Sequence, residues 1–126
     1  MCSKKQNPEI DIFGDKYWYV DGKLHRIDGP AIEQTSGTKH WYVNGRVHRL
    51  DGPAVELSDG SKVWYIHGKK HRLDGPAVEW DNGDEQWCVN DKYLNGPLEL
   101  LEHGAKLEDI AEYLTPREIA QIKLDK

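Results

Sequence analysis

Residues 41–56 read WYVNGRVHRLDGPAVE, and two close copies of this stretch occur at 18–33 and 64–79. The three copies share the pattern Trp-Tyr-x-x-Gly-x-x-His-Arg-x-Asp-Gly-Pro-Ala-x-Glu. A fourth copy lacks His-Arg, and its Gly96-Pro97 arrives two residues early. Similarity at a fixed period is typical of a repeat array, in which terminal copies are usually atypical. The chain is therefore predicted to consist of 23-residue units marked by Trp18, Trp41, Trp64 and Trp87.

Each unit is predicted to form a β-hairpin. In the third copy, residues 54–57 suit a short strand, 58–61 a turn, and 62–66 a second strand of residues that favour β structure. The positive φ that a tight turn needs is supplied by the pairs Asp21-Gly22, Asn44-Gly45 and His67-Gly68. We expect a mainly β fold, an elongated antiparallel single-layer sheet of about eight short strands.

Composition limits the protein further. The chain has 126 residues, with 17 Lys+Arg against 22 Asp+Glu and a formal net charge of -5. No apolar run approaches the ~18 residues of a membrane span. The two cysteines, Cys2 and Cys88, do not make a disulfide framework, so a soluble protein of the reducing cytoplasm is expected. The acidic balance disfavours general nucleic-acid binding, which needs clustered basic residues.

The periodicity changes after Pro97, which predicts a short C-terminal helical tail. Leu107, Ile110, Ala111 and Leu114 follow the spacing of an apolar stripe on a helix. Residues 115–118 read Thr-Pro-Arg-Glu, a capping box with proline at the first helical position. The predicted organisation is a mobile N-terminal segment at 1–10, hairpin repeats at 11–98 and C-terminal helices at 99–126.

The units resemble MORN repeats, whose hairpins also recur every 23 residues and end in a Gly-x-x-His corner. The match covers about residues 11–98 and rests on three sets of positions, Tyr19, Tyr42 and Tyr65, then Gly22, Gly45 and Gly68, then His25, His48 and His71. The family's Tyr-x-Gly before the aromatic residue is missing, and His-Arg-x-Asp-Gly-Pro-Ala replaces its His-Gly-x-Gly. The resemblance implies a hairpin-repeat architecture and no particular ligand. Such repeats are also similar to those of small bacterial and bacteriophage proteins.

Strand alternation predicts two faces of the sheet. Residues two apart share a face, so the tryptophans are expected to form a buried structural ladder of Trp18, Trp41, Trp64 and Trp87. The opposite face carries Tyr19, Tyr42 and Tyr65 and is available to a partner. Two strands per repeat at about 4.8 Å place equivalent residues about 9.6 Å apart. That separation argues against a metal site at the repeated histidines, because zinc ligands must converge within a few ångströms.

The arginines at the corners allow two interpretations. Arg26, Arg49 and Arg72 form a row that is suited to phosphates or an acidic partner. Alternatively, each arginine pairs with an aspartate of its own repeat or of the next repeat and holds the corner. The histidines are expected to hydrogen-bond backbone carbonyls of the turn.

Catalysis is not expected from this sequence. His48, Asp51 and Ser58 are the residue types of a catalytic triad, but they belong to a structural repeat that occurs in several copies, whereas a catalytic site is normally single. No Gly-x-Ser-x-Gly elbow or phosphate-binding loop is present. Cys88 is expected to be a small packed residue rather than a nucleophile. The protein is therefore predicted to be no enzyme and to have no cofactor and no metal.

The predicted function is non-enzymatic binding of a protein partner. The candidate contact residues are Tyr19, Tyr42, Tyr65, Arg26, Arg49, Arg72, His48 and His71. The resemblance to bacteriophage proteins implies a narrower role, inhibition of a bacterial enzyme or defence complex in the host cytoplasm. The alternative is a module that binds a membrane surface or a phosphate ligand. The tail is expected to pack on Trp87 and to support a homodimer through Ile110, Leu114, Ile119 and Ile122.

Overall fold

The structure is a computed structural model that describes residues 7–124. Within them, fifteen short strands and a helical tail follow one another. The first strand begins at Glu9, inside the segment predicted to be mobile and two residues before the expected start of the repeats. Cys2 lies outside the described residues.

The fold is mainly β, as predicted. In chain order the strands are β1 (Glu9–Ile10), β2 (Lys16–Tyr17), β3 (Tyr19–Val20), β4 (Lys23–Leu24), β5 (Ile32–Glu33), β6 (Lys39–His40), β7 (Tyr42–Val43), β8 (Arg46–Val47), β9 (Val55–Glu56), β10 (Lys62–Val63), β11 (Tyr65–Ile66), β12 (Lys69–Lys70), β13 (Val78–Glu79), β14 (Glu85–Val89) and β15 (Lys92–Leu94). Nine of them form one antiparallel sheet in the order β1-β2-β5-β6-β9-β10-β13-β14-β15. The pairs β3–β4, β7–β8 and β11–β12 are separate hairpins.

The chain leaves the main sheet at three of the repeat tryptophans. Trp41 lies between β6 and β7, and its backbone N–H donates to the carbonyl of Ala54 at 2.7 Å. The prediction of one continuous strand over 62–66 is therefore wrong, because β10 and β11 belong to different sheets on either side of Trp64. Side-chain alternation does not continue through such a break. The two predicted faces fail for the same reason. Val63, two residues from Tyr65 and therefore expected on the partner face, is 8% exposed, whereas Val20, two residues from Trp18 and therefore expected in the core, is 43% exposed.

The small hairpins stack from one repeat to the next. Asn44 and Gly45 have φ of 52° and 81°, so the pair forms the predicted tight turn with both residues at positive φ. The N–H of Gly45 donates to the carbonyl of Leu24 in the preceding hairpin at 2.8 Å. Each hairpin is thus hydrogen-bonded to the one before it. Adjacent repeats are joined here as well as through the main sheet.

Buried small side chains link the repeats on the main-sheet side. The hydroxyl of Thr38 accepts a hydrogen bond from the N–H of Ser58, 20 residues later, at 3.1 Å. The hydroxyl of Ser61 accepts one from the N–H of Asp81 at 3.0 Å. A modest apolar cluster of Val55, Val63 and Val78 lies beside them, with partly buried Val47, Leu57 and Tyr65 packed against it.

The tail consists of short helices. A 3-10 helix spans Pro97–His103, α1 spans Leu107–Ile110, a second 3-10 helix spans Ala111–Tyr113, and α2 spans Pro116–Leu124. The first helix ends at Gly104, whose φ of 101° favours glycine. The predicted capping box is confirmed, since the N–H of Glu118 donates to the Thr115 hydroxyl and the N–H of Thr115 donates to the Glu118 carboxylate.

The tail caps the last repeat. Five buried residues form the largest apolar cluster among the described residues, Trp87, Val89, Leu100, Ile110 and Leu114. The prediction that the tail packs on Trp87 is confirmed. Ile110 is fully buried and Leu114 is 8% exposed, so neither offers the self-association surface that the sequence suggested. Ile119 and Ile122 pack against the same cluster and remain partly exposed. Self-association stays a prediction.

Candidate functional site

Each of the first three repeats carries an arginine that is held by its own corner. The Nε of Arg49 donates to Asp51 at 3.0 Å, and its Nη1 donates to Glu56 at 3.2 Å and to the Pro53 carbonyl at 3.0 Å. Its Cζ lies 4.0 Å from the centre of the Trp41 ring. Arg26 and Arg72 make the equivalent contacts. Each arginine thus joins a tryptophan, a turn and a strand of the main sheet.

These contacts decide between the two interpretations of the arginines. Each arginine pairs with the aspartate of its own repeat, and its side chain is only 15–23% exposed. The arginines do not form an exposed row. Each guanidinium has two carboxylate partners, so the two ion pairs leave one net negative charge per corner. A Cβ on Gly75 would lie 2.6 Å from the Cζ of Arg72, so a larger residue in the Asp-Gly-Pro turn would displace the guanidinium from its partners.

The repeat tryptophans are less uniform than predicted. Trp18 and Trp87 are buried, at 6% and 9% exposure. Trp41 and Trp64 are only half-buried, so the expectation that both belong to the core is wrong. At all three sheet breaks the arginine of the same repeat covers one face of the tryptophan ring, and at Trp41 and Trp64 part of the ring remains exposed.

The repeated histidines join neighbouring repeats. The Nδ1 atoms of His25, His48 and His71 each accept a hydrogen bond from a backbone N–H 19 residues later, at 2.9, 2.9 and 3.1 Å. The donors lie in the tight turn of the following hairpin, Asn44, His67 and Asn90. The predicted hydrogen bonds to carbonyls are therefore corrected: the ring nitrogen is an acceptor and must be unprotonated in the folded protein.

We expect the protein to become less stable as pH falls below about 6.5, the ordinary histidine value. Burial is the main cause that lowers the pKa of His48, with the nearby His67 adding to it, and burial also lowers the pKa of His71 and His40. A lowered pKa in the folded state means that the unfolded chain binds more protons, so stability present above pH 6.5 is lost as pH falls through the folded values. Urea unfolding between pH 7.5 and 5 measures the slope.

The variant His48→Asn provides the matched control for this pH dependence. Its amide oxygen lies near the position of Nδ1 and accepts the same hydrogen bond, worth about 0.5–1.5 kcal/mol, but does not titrate. We expect nearly native stability at pH 7.5 and a shallower loss at pH 5. A slope equal to that of the unaltered chain would contradict the assignment to His48.

The predicted tyrosine surface is only partly available. Tyr19 is 41% exposed. Tyr42 is half-buried, and Tyr65 packs against the valine cluster. These three side chains therefore do not form one uniform exposed stripe.

Two grooves open between successive corners, and we call them groove A and groove B. Groove A, of about 750 Å³, is lined by Trp41 and Val43 and by the corner residues Ile27 and Leu50. Groove B, of about 500 Å³, is lined by the equivalent residues Trp64 and Ile66 and by the corner residues Leu50 and Leu73. Ile27 and Leu50 are 82% and 80% exposed.

Ile27 and Leu50 are not among the residues that the sequence predicts for the site. Both occupy the variable position of the His-Arg-x-Asp motif. The signal was present in the sequence, since this position is aliphatic in each of the three full copies: Ile27, Leu50 and Leu73. Leu73 packs against the apolar cluster of the tail, whereas Ile27 and Leu50 remain exposed at their corners.

The third groove in the series is filled by the tail. Leu73, Trp87 and Val89 lie 23 residues after Leu50, Trp64 and Ile66, and they pack with Leu100, Ile110 and Leu114 of the tail. Tyr113 lies edge-on to Trp87, with ring centres 5.1 Å apart, in the repeat that lacks an arginine over its tryptophan. The tail thus covers the equivalents of the apolar residues that line grooves A and B, in a repeat that lacks the second corner of those grooves.

Other chemistry has little support in this structure. Cys88 is fully buried, and burial raises the pKa of its thiol, which makes it a poor nucleophile and agrees with its predicted packing role. Across residues 7–124 there is no group of three or more His, Cys, Asp or Glu side chains that is arranged to hold a metal ion. In the same residues, none of the helices has the length and apolar character needed to cross a membrane.

The chain matches no protein-family model, no curated protein and no solved structure. The observed hairpin repeats agree with the architecture that the MORN resemblance implies. Membership of that family stays a prediction.

Proposed function

We propose that the protein is a non-enzymatic module that binds a protein partner through grooves A and B. The observation that carries this proposal is the third groove, which the chain covers with its own tail. Because grooves A and B repeat that surface with Ile27 and Leu50 exposed, they are suited to an apolar segment from another protein. An exposed apolar strip with a polar border is typical of an interaction site.

The alternative, a module for membrane surfaces or phosphate ligands, has less support. Anionic surfaces attract unpaired basic residues. Arg26, Arg49 and Arg72 are each paired with two carboxylates, and the whole chain carries a formal net charge of -5. A protein partner therefore fits this surface better than an anionic membrane or a phosphate ligand.

The narrower role, inhibition of a bacterial enzyme or defence complex in the host cytoplasm, belongs to this proposal through the resemblance to bacteriophage proteins. In that role the acidic array occupies a surface of its target and needs no catalysis of its own. The proposal includes a homodimer only if its interface leaves grooves A and B open. Ile110 and Leu114 are already buried within the chain and do not supply that interface.

A variant in groove A and groove B tests the proposal. Leu50 lines both grooves and is 80% exposed, so Leu50→Asp is expected to change stability by less than about 0.5 kcal/mol. We expect it to abolish recovery of a partner that the unaltered chain captures from bacterial lysate, as identified by mass spectrometry. The reason is that a carboxylate in the groove must be desolvated by an apolar partner.

The matched control is Leu124→Asp, which changes a residue that is 77% exposed and lines neither groove. It is expected to recover the same partner as the unaltered chain. Equal recovery by all three proteins, or no specific partner for any of them, would contradict binding through the grooves.

A further inference from the structure

We propose that the occupant of grooves A and B is a basic amphipathic helix of the partner protein, lying across both grooves at once. This inference rests on the proposed function and specifies the chemistry of the partner. It follows from three features of the described residues: what fills the third groove, how far apart the grooves lie, and which charges border them.

The tail shows what kind of segment this surface accepts. The residues that cover Trp87 and Val89 come from short helices, and the buried contacts are aliphatic: Leu100, Ile110 and Leu114. Grooves A and B offer a similar lining, a tryptophan followed two residues later by Val43 or Ile66. Aliphatic side chains presented by a helix therefore suit the open grooves.

The spacing of the grooves fits a single helix. Two main-sheet strands per repeat place equivalent positions about 9.6 Å apart. Side chains seven positions apart on an α-helix lie on nearly the same face and about 10.5 Å apart along its axis. One helix can therefore place an aliphatic side chain in groove A and another in groove B, with Leu50, which lines both grooves, between them.

The charges around the grooves select a basic helix. The side chains of Asp28, Asp51 and Asp74 stand at the corners and are 85%, 86% and 65% exposed. The arginines that pair with them are only 15–23% exposed, so the carboxylates are the more exposed charges along both grooves. Lysines or arginines flanking the apolar stripe of the helix would lie against these carboxylates.

A second copy of this chain is a poorer occupant. Its apolar helical residues are already buried on Trp87, and its tail from Glu99 onward carries seven Asp+Glu against four Lys+Arg. An acidic tail placed beside these exposed carboxylates is repelled. Charge thus distinguishes a basic helix from a second copy of this chain, and the experiment therefore compares a basic peptide with an acidic one.

The test uses the full chain and three dye-labelled helical peptides of equal length, measured by fluorescence anisotropy. The first carries leucines at positions i, i+3, i+7 and lysines on the other face. The second replaces every lysine with glutamate, and the third scrambles the first. We expect the first peptide to bind at least tenfold more tightly than either of the others, with an affinity that weakens as salt increases.

The groove variants locate the binding. The double variant Ile27→Ser/Leu50→Ser, which removes the aliphatic side chains without adding charge, is expected to weaken binding of the basic peptide at least tenfold, and Leu124→Ser is expected to leave it unchanged. Thermal melts of all variants confirm that each is folded. Equal binding of the basic and acidic peptides, or binding that the double variant does not weaken, would overturn the proposal. So would light scattering that shows a dimer dissociated by the double variant, because a second copy would then occupy the grooves.

The two proposals fail separately. If Leu50→Asp loses a lysate partner but the basic peptide does not bind the unaltered chain, the grooves bind a protein and the helical occupant is wrong. If the peptide shows no groove-dependent binding and no groove-dependent partner is recovered, both proposals are wrong.

Discussion

A chain that ends after Leu98 is expected to lose its cooperative unfolding transition and to aggregate. The truncation removes Leu100, Ile110 and Leu114, the buried residues that cover Trp87 and Val89. Loss of one buried aliphatic side chain typically costs about 2–5 kcal/mol, and the whole stability of a small domain is about 5–15 kcal/mol. Removing three such side chains therefore leaves the shortened chain with little net stability. Calorimetry and light scattering on the full and shortened chains measure the outcome.

Single substitutions measure how much one buried side chain of the tail contributes to stability. Leu100→Ala is expected to lower the free energy of unfolding by about 2–5 kcal/mol, because Leu100 is fully buried. The control Leu124→Ala, at a residue that is 77% exposed, is expected to stay within about 0.5 kcal/mol. A shortened chain that remains soluble and equally stable would show that the tail is not a cap.

The repeat and its turns could be predicted because they depend on local chemistry. The 23-residue period fixes the number of units, and Asn44-Gly45 adopts the positive φ that its residue types favour. The capping box at Thr115 and Glu118 is equally local, since both partners lie within one helical turn. The tail's stripe of Ile110 and Leu114 also indicates an apolar face, although its spacing does not say what that face covers.

The exposure of the side chains and the position of the grooves depend on where the chain leaves the main sheet. Nothing in the residues of 62–66 marks Trp64 as a break, because every one of them suits a strand or its end. At Trp64 the two backbone groups turn to different partners: the N–H donates to the carbonyl of Ala77 beside β13 at 2.8 Å, whereas the carbonyl accepts from the N–H of His71 beside β12 at 3.1 Å. Alternation then fails, and the side-chain faces derived from it are misassigned. The grooves form beside the same breaks, so the repeated aliphatic position of Ile27 and Leu50 is visible in the sequence but its place beside the half-buried tryptophans is not.

We expect Trp64→Ala and Arg72→Ala to be the most destabilising single changes in the repeats outside the cap. Trp64 is half-buried, so its loss is expected to cost about 3 kcal/mol, the lower end for a tryptophan removed from a core. Arg72→Ala leaves the Glu79 carboxylate and the Pro76 carbonyl without their donor, which costs about 1.5–3 kcal/mol. Urea unfolding of each variant gives both free energies.

The double variant separates packing from the contact between the two side chains. The Cζ of Arg72 lies 3.8 Å from the centre of the Trp64 ring, and a cation over an aromatic face contributes about 0.5–2 kcal/mol. The two losses are therefore expected to sum to more than the loss in the double variant, by that amount. Arg72→Lys is the matched control: it keeps the charge but loses the planar fork that reaches Asp74, Glu79 and the turn, so only part of the stability returns. Strictly additive losses, or an unchanged melting temperature in Trp64→Ala, would remove the arginine–tryptophan stack as the element that holds each corner to its repeat.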